Sequence, residues 1–273
     1  MKTRSGRKFA GEIKVSLDKF ASYCYDKSIY YRYRVCGFDS KIAKLTKDSN
    51  FCKVDLHALE RRQTATRILR QILENTAIIY QDDYYKPEKL VPIDPKTNLA
   101  NWDCPESVDF NAFARNIEYA KKHSGQLPDG FQSNEESNVH DGSSLVSKEA
   151  SAKLRNILAP LLDKHAHVTF VFVDGFLLYC NDNVSQQLDC KIGFRASYET
   201  LKSRREKRQG YHTLEGYWVD PPGYFDKIVW PEYLNQSRHD ETIDQLLTIN
   251  TDEFSIDETA IKVAEKMVQD LLK

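Results

Sequence analysis

Residues 76–87 read TAIIYQDDYYKP, a short β-branched apolar run that breaks into two carboxylates, two tyrosines, a lysine and a proline. The run Ala77, Ile78, Ile79, Tyr80 is too short for a helix and has the character of a buried parallel strand. Asp82 and Asp83 then emerge at its carboxyl end, where open α/β sheets bind ligands. An aspartate there is suited to accept a proton from an attacking hydroxyl or to help hold a magnesium ion, and flat tyrosines wall a pocket for a ring. A surface Asx turn closing a strand would leave the same letters.

On the amino-terminal side, residues 64–74 (TATRILRQILE) place Ile68, Leu69, Ile72 and Leu73 on one helical face, and Asn75 suits the turn into the strand. Residues 1–63 are less legible. Ile29, Tyr30 and Tyr31 open a candidate strand over 29–36 that ends at Gly37, and residues 51–62 carry only a weak helical pattern.

On the carboxyl side, residues 87–105 are punctuated by prolines and contain Trp102 beside Asp103, a pair that equally describes a half-buried loop anchor. Ser107 is expected to cap a helix carrying Phe110, Phe113, Ile117 and Ala120. Residues 123–147 are dominated by Gly, Ser, Asn, Asp and Glu, which reads as a mobile insertion. A second helix is expected over 148–165, with Leu154, Ile157, Leu158, Leu161 and Leu162 as its apolar stripe and a bend at Pro160.

Residues 167–179 (HVTFVFVDGFLLY) give a continuous apolar strand ending in Asp174 and Gly175, the form of a strand whose carboxylate reaches nucleotide-bound magnesium, or of a plain Asp-Gly turn. Further strands are expected over 190–196 and 246–250. Ser255 and Glu258 form a capping box ahead of a helix bearing Ile261, Ala264, Met267, Val268 and Leu271. Between those strands, residues 197–233 concentrate Lys202, Arg204, Arg205, Lys207 and Arg208 on a helical segment. Such a run is either a solvated basic face or an anion clamp beside a phosphate site.

Composition sets the outer bounds. The chain has 273 residues, with 41% hydrophobic and 11% aromatic residues, ordinary for a globular protein. Its longest apolar run, 168–179, is interrupted by an aspartate and too short to span a bilayer, so no membrane association is expected. The start, MKTRSGRKFAGEIK, lacks the apolar core of a secretory signal, and the expected compartment is the cytoplasm, with the nucleus an open alternative. Cys24, Cys36, Cys52, Cys104, Cys180 and Cys190 form no zinc spacing and suit reduced thiols. Residues 1–63 hold 15 Lys and Arg against 7 Asp and Glu, and the remainder 24 against 33. The positive charges form no stripe, which argues against a nucleic-acid partner.

Taken together and in this order, QDDYYKPE, NWDCPESVDF, VDGFLL, SYETLKSRREKR and DPPGYFDKIVWPEY closely resemble the nicotinamide riboside kinases of fungal type, in the nucleoside-kinase branch of the P-loop kinases. The resemblance covers residues 64–273. It implies a three-layer α/β nucleotide-kinase fold with a mostly parallel sheet and a helical lid over 198–226. It also implies transfer of the ATP γ-phosphate, with Mg2+, to the 5′-hydroxyl of nicotinamide riboside. By motif, Asp82 is the implied base and Asp174 the second acid, both near the metal. Asp83, Tyr84, Tyr85, Trp102, Asp103, Arg205 and Tyr211 are implied substrate contacts, and Arg204 and Arg208 nucleotide contacts.

The resemblance stops at one place. The family carries GxxxxGKT between its first strand and first helix, where backbone N–H groups and a lysine cradle the phosphates. Here Arg62 and Gln63 stand where that lysine and threonine belong, with no glycine before them, and GFDSK at 37–41 lies about twenty residues too early. Residues 1–63 are therefore expected to replace the strand and loop, through divergence or a misjoined reading frame. A relative that binds nucleosides without turnover, and a uridine-type kinase, stand as alternatives.

Overall fold

Five short strands, all parallel, form one sheet whose central member comes from the least legible part of the chain. In the computed structural model the described residues are 51–56, 61–133, 146–165, 167–207, 210–213 and 216–273, all within the unit Ala43–Lys273. In chain order they build β1 (Phe51–Leu56), α1 (Arg61–Arg70), β2 (Thr76–Tyr80), α2 (Phe110–Lys122), α3 (Lys148–Lys164), β3 (Phe170–Gly175), the short α4 (Asp182–Ser185) and β4 (Ile192–Arg195). Then follow α5 (Tyr198–Glu206), a hairpin of β5 (Tyr211–Thr213) and β6 (Gly216–Trp218), α6 (Trp230–Asp240), β7 (Leu247–Asn250) and α7 (Ile256–Leu271).

The sheet order is β2-β3-β1-β4-β7. The chain passes from β1 out to β2, returns to β3, and then crosses to the other side of β1, so the order reverses around β1. The crevice outside the carboxyl ends at such a reversal is the binding position of open α/β sheets.

Burial on β3 alternates by face, as the two-residue period of a strand requires. Phe170 and Phe172 face a core made with α1, α3 and α7, including Leu69, Leu73, Leu158, Val263 and Met267. Val171 and Val173 face the opposite core with Phe113 and Ile117 of α2 and Leu177, Leu178 and Val184. Both faces are covered, which gives three layers and explains the unbroken apolar run in β3. A third cluster, with Leu201, Tyr224, Phe225 and Ile228, joins α5 to α6, which opens on one π-helical turn, Phe225–Val229.

Several expectations are corrected here. Residues 51–56, expected as weakly helical, are the central strand, and α1 starts at Arg61, ahead of residue 64. The cap of α2 is Asp109, whose side chain accepts from the Ala112 N–H at 2.9 Å. Ser107 sits instead in a 3-10 turn, Pro105–Ser107. The described part of 123–147 is anchored: Leu127 and Phe131 pack on the second core, and Ser147 caps α3. Pro160 lies inside α3, where the sequence placed it. The capping box of α7 is formed by Ser255 and Glu258 as expected. The candidate strand over 29–36, residues 37–41 and Arg208 lie outside the described residues.

Candidate active site

The two acids singled out on β2 and β3 arrive at the same end of neighbouring strands. Tyr80, the last residue of β2, is in register with Asp174, which is in turn in register with Val54 of β1. Asp174 is fully buried. Asp82 and Asp83 follow β2 directly on the 3-10 turn Gln81–Tyr84.

A residue that sequence reasoning passed over fixes this turn. Gln81 is 0% exposed, and its Oε1 accepts from the N–H groups of both Phe176 and Leu177 at 2.9 Å, tying the end of β2 to the turn after β3. The approach is so close that a Cβ at Gly175 would lie 2.6 Å from the Gln81 Cβ and 2.4 Å from Leu178 Cδ2, so only glycine fits there. Gln81→Leu leaves two buried N–H groups without their acceptor, and is expected to lower unfolding stability by about 2–4 kcal/mol. Gln81→Glu keeps the acceptor and most of the stability. Denaturant midpoints check this, and equal losses in the two variants would show that the shared oxygen does not matter.

Asp83 is held from the side, its Oδ2 accepting from Ser133 Oγ at 2.6 Å. Tyr84 is turned into the core, 5% exposed, with its ring centroid 4.8 Å from that of Phe113 and its hydroxyl accepting from Asn116 Nδ2 at 2.9 Å. Burial pushes its phenol up to about 12. The next residue takes the other side. Tyr85 stands edge-on to Trp102, 5.6 Å between centroids, and 6.1 Å from Phe176. Burial, with Asp82 and Asp103 adding to it, holds its hydroxyl well above the usual phenol range.

Trp102 and Asp103 are locked by the loop around them. Ser107 Oγ donates to the carbonyls of Trp102 (2.9 Å) and Cys104 (2.7 Å). The Trp102 N–H donates to Tyr224 Oη at 3.1 Å, and that hydroxyl donates to the Ala100 carbonyl at 2.9 Å. Trp102 also meets Trp218 of β6 edge to face at 5.9 Å, and Trp218 meets Tyr224 at 6.2 Å. The Trp102 indole N–H is buried without an acceptor.

The basic helix α5 divides its charges among separate partners. Arg205 reaches the Trp102 loop: Nη1 and Nη2 lie 3.0 and 3.4 Å from the two Asp103 carboxylate oxygens, and Nε and Nη2 lie 2.6 and 3.2 Å from those of Asp220. Its guanidinium carbon stands 5.6 Å from the Tyr224 ring centroid. Asp220 also accepts from Trp218 Nε1 at 3.0 Å. Burial pushes the Asp103 carboxyl above the usual carboxylate range, with Arg205 opposing. Lys202 instead joins Tyr198 and Asp226, whose carboxylate raises the Lys202 ammonium well above its ordinary value. Arg204 Nη1 donates to Thr251 Oγ1, just past β7, at 3.3 Å. Tyr211 opens β5, paired with Trp218 across the hairpin.

The structure thus brings Tyr85, Trp102, Asp103 and Arg205 into one cluster and sends Tyr84 and Arg204 elsewhere. It adds Trp218, Asp220 and Tyr224 to that cluster. Asp220 and Tyr224 lie in the DPPGYFD stretch, and Trp218 is two residues before Asp220. A carboxylate and an aromatic flanking the prolines of a loop were the available signal. Among the described residues no group of three or more His, Cys, Asp or Glu is placed to hold a metal, so Asp82 and Asp174 would need phosphate or water oxygens to complete a magnesium shell. No helix among the described residues is long and apolar enough to cross a membrane.

No protein-family profile matches the chain. Among curated proteins it is similar to the nicotinamide riboside kinase of Schizosaccharomyces pombe, at 35% identity over 178 residues, covering 65% of this chain and 74% of that protein. The nicotinamide riboside kinase of Saccharomyces cerevisiae is 35% identical over 174 residues, 63% of this chain and 70% of that protein. Mouse nicotinamide riboside kinase 2 is 27% identical over 181 residues, with 66% and 75% covered.

Proposed function

This chain belongs to the nicotinamide riboside kinase family, and from that premise we propose that it transfers the ATP γ-phosphate to the 5′-hydroxyl of nicotinamide riboside, giving nicotinamide mononucleotide and ADP. The observation that carries the reading is the convergence at one sheet end of Asp82 and Asp174 with the aromatic cluster around Trp102 and the Asp103–Arg205 pair.

In this reading the riboside ring enters among Trp102, Tyr85 and Trp218. The buried Trp102 N–H, which has no acceptor of its own, supports a ligand oxygen there, since an unmade buried hydrogen bond costs about 1–3 kcal/mol. Asp103 takes ribose hydroxyls, with Arg205 holding its carboxylate in place. Asp82 accepts the proton as the 5′-oxygen bonds to the γ-phosphorus and the bond to the β–γ bridging oxygen breaks, its electron pair leaving with ADP. The hard oxygens of Asp82 and Asp174 suit Mg2+, which takes one or two carboxylates and fills the rest of its shell with phosphate and water oxygens. When bound, that ion offsets charge on the transferring group. Residues 198–226 act as the lid, because the ring contacts between Trp102 and Trp218 have to part for a base to enter. The free thiols Cys104, Cys180 and Cys190 suit a reducing cytoplasm.

The test is formation of nicotinamide mononucleotide by the full chain, dependent on ATP and magnesium; its absence at high enzyme concentration refutes turnover. A second reading, riboside binding without turnover, is favoured by one feature: the connection between β1 and α1, residues 57–60, reads HALE, four residues with a carboxylate and no glycine.

Trp102→Ala is expected to weaken riboside binding by about 1–3 kcal/mol through lost aromatic contact, with a smaller effect on ATP. Titration calorimetry decides this, and an unchanged riboside dissociation constant returns Trp102 to a purely structural role.

A further inference from the structure

The β2–β3 ladder ends at the pair Tyr80 and Asp174, and beyond it the Gln81 side chain carries the connection between the strands one step further. Its Oε1 accepts from the N–H groups of Phe176 and Leu177, both at 2.9 Å. The turn it grips is itself fixed, because Leu177 and Leu178 are buried in the second core. A Cβ on Gly175 would stand 2.8 Å from the same oxygen, so glycine is what lets the acceptor reach. The other half of the amide contributes nothing: Gln81 Nε2 is buried without a partner, which is a cost, and the side chain is held by its oxygen. Asp82 is the next residue, on the same four-residue 3-10 turn, and Asp174 immediately precedes Gly175. A single side chain therefore runs from the turn bearing one acid to the turn that follows the other.

We propose that Gln81 is a positioning residue for phosphoryl transfer: its shared oxygen sets where Asp82 stands relative to Asp174, and losing that acceptor slows the chemical step more than it weakens riboside binding. The inference rests on the kinase reading of the two acids and adds to it a residue that, at 0% exposure, meets no ligand itself. A base works only within hydrogen-bond reach of the proton it takes, about 2.6–3.2 Å. A misplacement on the scale of 1 Å costs on the order of a hundredfold in rate. Without the acceptor, the N–H groups of Phe176 and Leu177 turn to water, and the Asp82 turn loses its tie to the end of β3. The Trp102 loop is fastened by other bonds, from Ser107 Oγ to the Trp102 carbonyl and from the Trp102 N–H to Tyr224 Oη, so riboside affinity does not follow.

The experiment is steady-state kinetics of nicotinamide mononucleotide formation by the full chain, with amide hydrogen exchange and denaturant unfolding on the same samples. Gln81→Met keeps the length and neutrality of the side chain but offers no comparable acceptor. It is expected to lower kcat by roughly ten- to a hundredfold, with the riboside KM within a few-fold of the parent and faster exchange at Phe176 and Leu177. Gln81→Glu keeps the oxygen and is expected to hold kcat within a few-fold of the parent. Gln81→Asn keeps the amide but withdraws its oxygen by one methylene, and gives the same loss of kcat should the Met variant not fold. Rates are taken where the unfolding curves show each variant folded. A merely structural role would lower the unfolding midpoint and leave kcat per folded molecule unchanged, which overturns the inference. A loss expressed in KM alone, or Gln81→Glu as slow as Gln81→Met, also overturns it. No turnover by the unmodified chain refutes the kinase reading and the inference with it, whereas parental turnover that survives loss of the acceptor refutes the inference alone.

Discussion

Replacing residues 57–63 with GxxxxGKT, joined at Thr64, raises magnesium-dependent phosphorylation of nicotinamide riboside by at least about a hundredfold over the unmodified chain. A phosphate cradle needs successive backbone N–H groups aimed at the anion, a path that glycines permit, together with the positive end of a helix, a lysine and a hydroxyl for the metal. The chain has the helix, α1, starting at Arg61, but four residues without glycine lead into it, the last of them Glu60. A carboxylate in the sequence position just before a helix adds negative charge where a phosphate cradle needs the opposite sign. Several kcal/mol of transition-state stabilisation are lost with such contacts, and each 1.4 kcal/mol is about tenfold in rate. The graft is confined to the loop because β1 already fills the place between β3 and β4, in register over Phe51–Asp55 with Val171–Gly175. Initial rates of nicotinamide mononucleotide formation check it. Equal turnover by parent and graft would mean that residues 57–63 build a phosphate site of another kind. A gain seen only when residues 1–63 are replaced together with a new strand would place the defect in β1.

That β1 escaped the sequence reading has a physical cause. A central strand covered on both faces is recognised by a continuous apolar run, as VTFVFV in β3 was. Residues 51–56 read FCKVDL, with Lys53 and Asp55 breaking the run, and the alternation of Cys52, Val54 and Leu56 that remains is the weaker signal of a half-covered strand. Helices α3 and α7 were legible because their stripes repeat at helical spacing and α7 carries its capping box in adjacent letters. The candidate site was legible in its placement at the strand ends, at Asp82 and Asp174. It was illegible where contacts join distant loops. Arg205 and Asp220 are fifteen residues apart with a hairpin between them, and nothing periodic links them. Gln81 looked like a turn residue beside two acids, and only the fold shows its oxygen serving Phe176 and Leu177.

Asp82→Asn should remove most phosphorylation, in the unmodified chain and in the loop-grafted form alike, while the riboside dissociation constant stays within a few-fold of the parent. The amide has the size of the carboxylate but does not take up a proton at neutral pH, and a positioned base contributes about 10²–10⁴ in rate. In Asp82→Asn the Gln81 oxygen still accepts from the N–H groups of Phe176 and Leu177, and Asp83 still accepts from Ser133 Oγ, so these two anchors of the turn are kept. The pairing of the two measurements is what separates roles. Loss of turnover with binding intact assigns Asp82 to the chemical step. Parallel loss of both would make it a binding residue, and turnover within a few-fold of the parent would exclude it as the base and shift that task to Asp174, the acid in register with the last residue of β2.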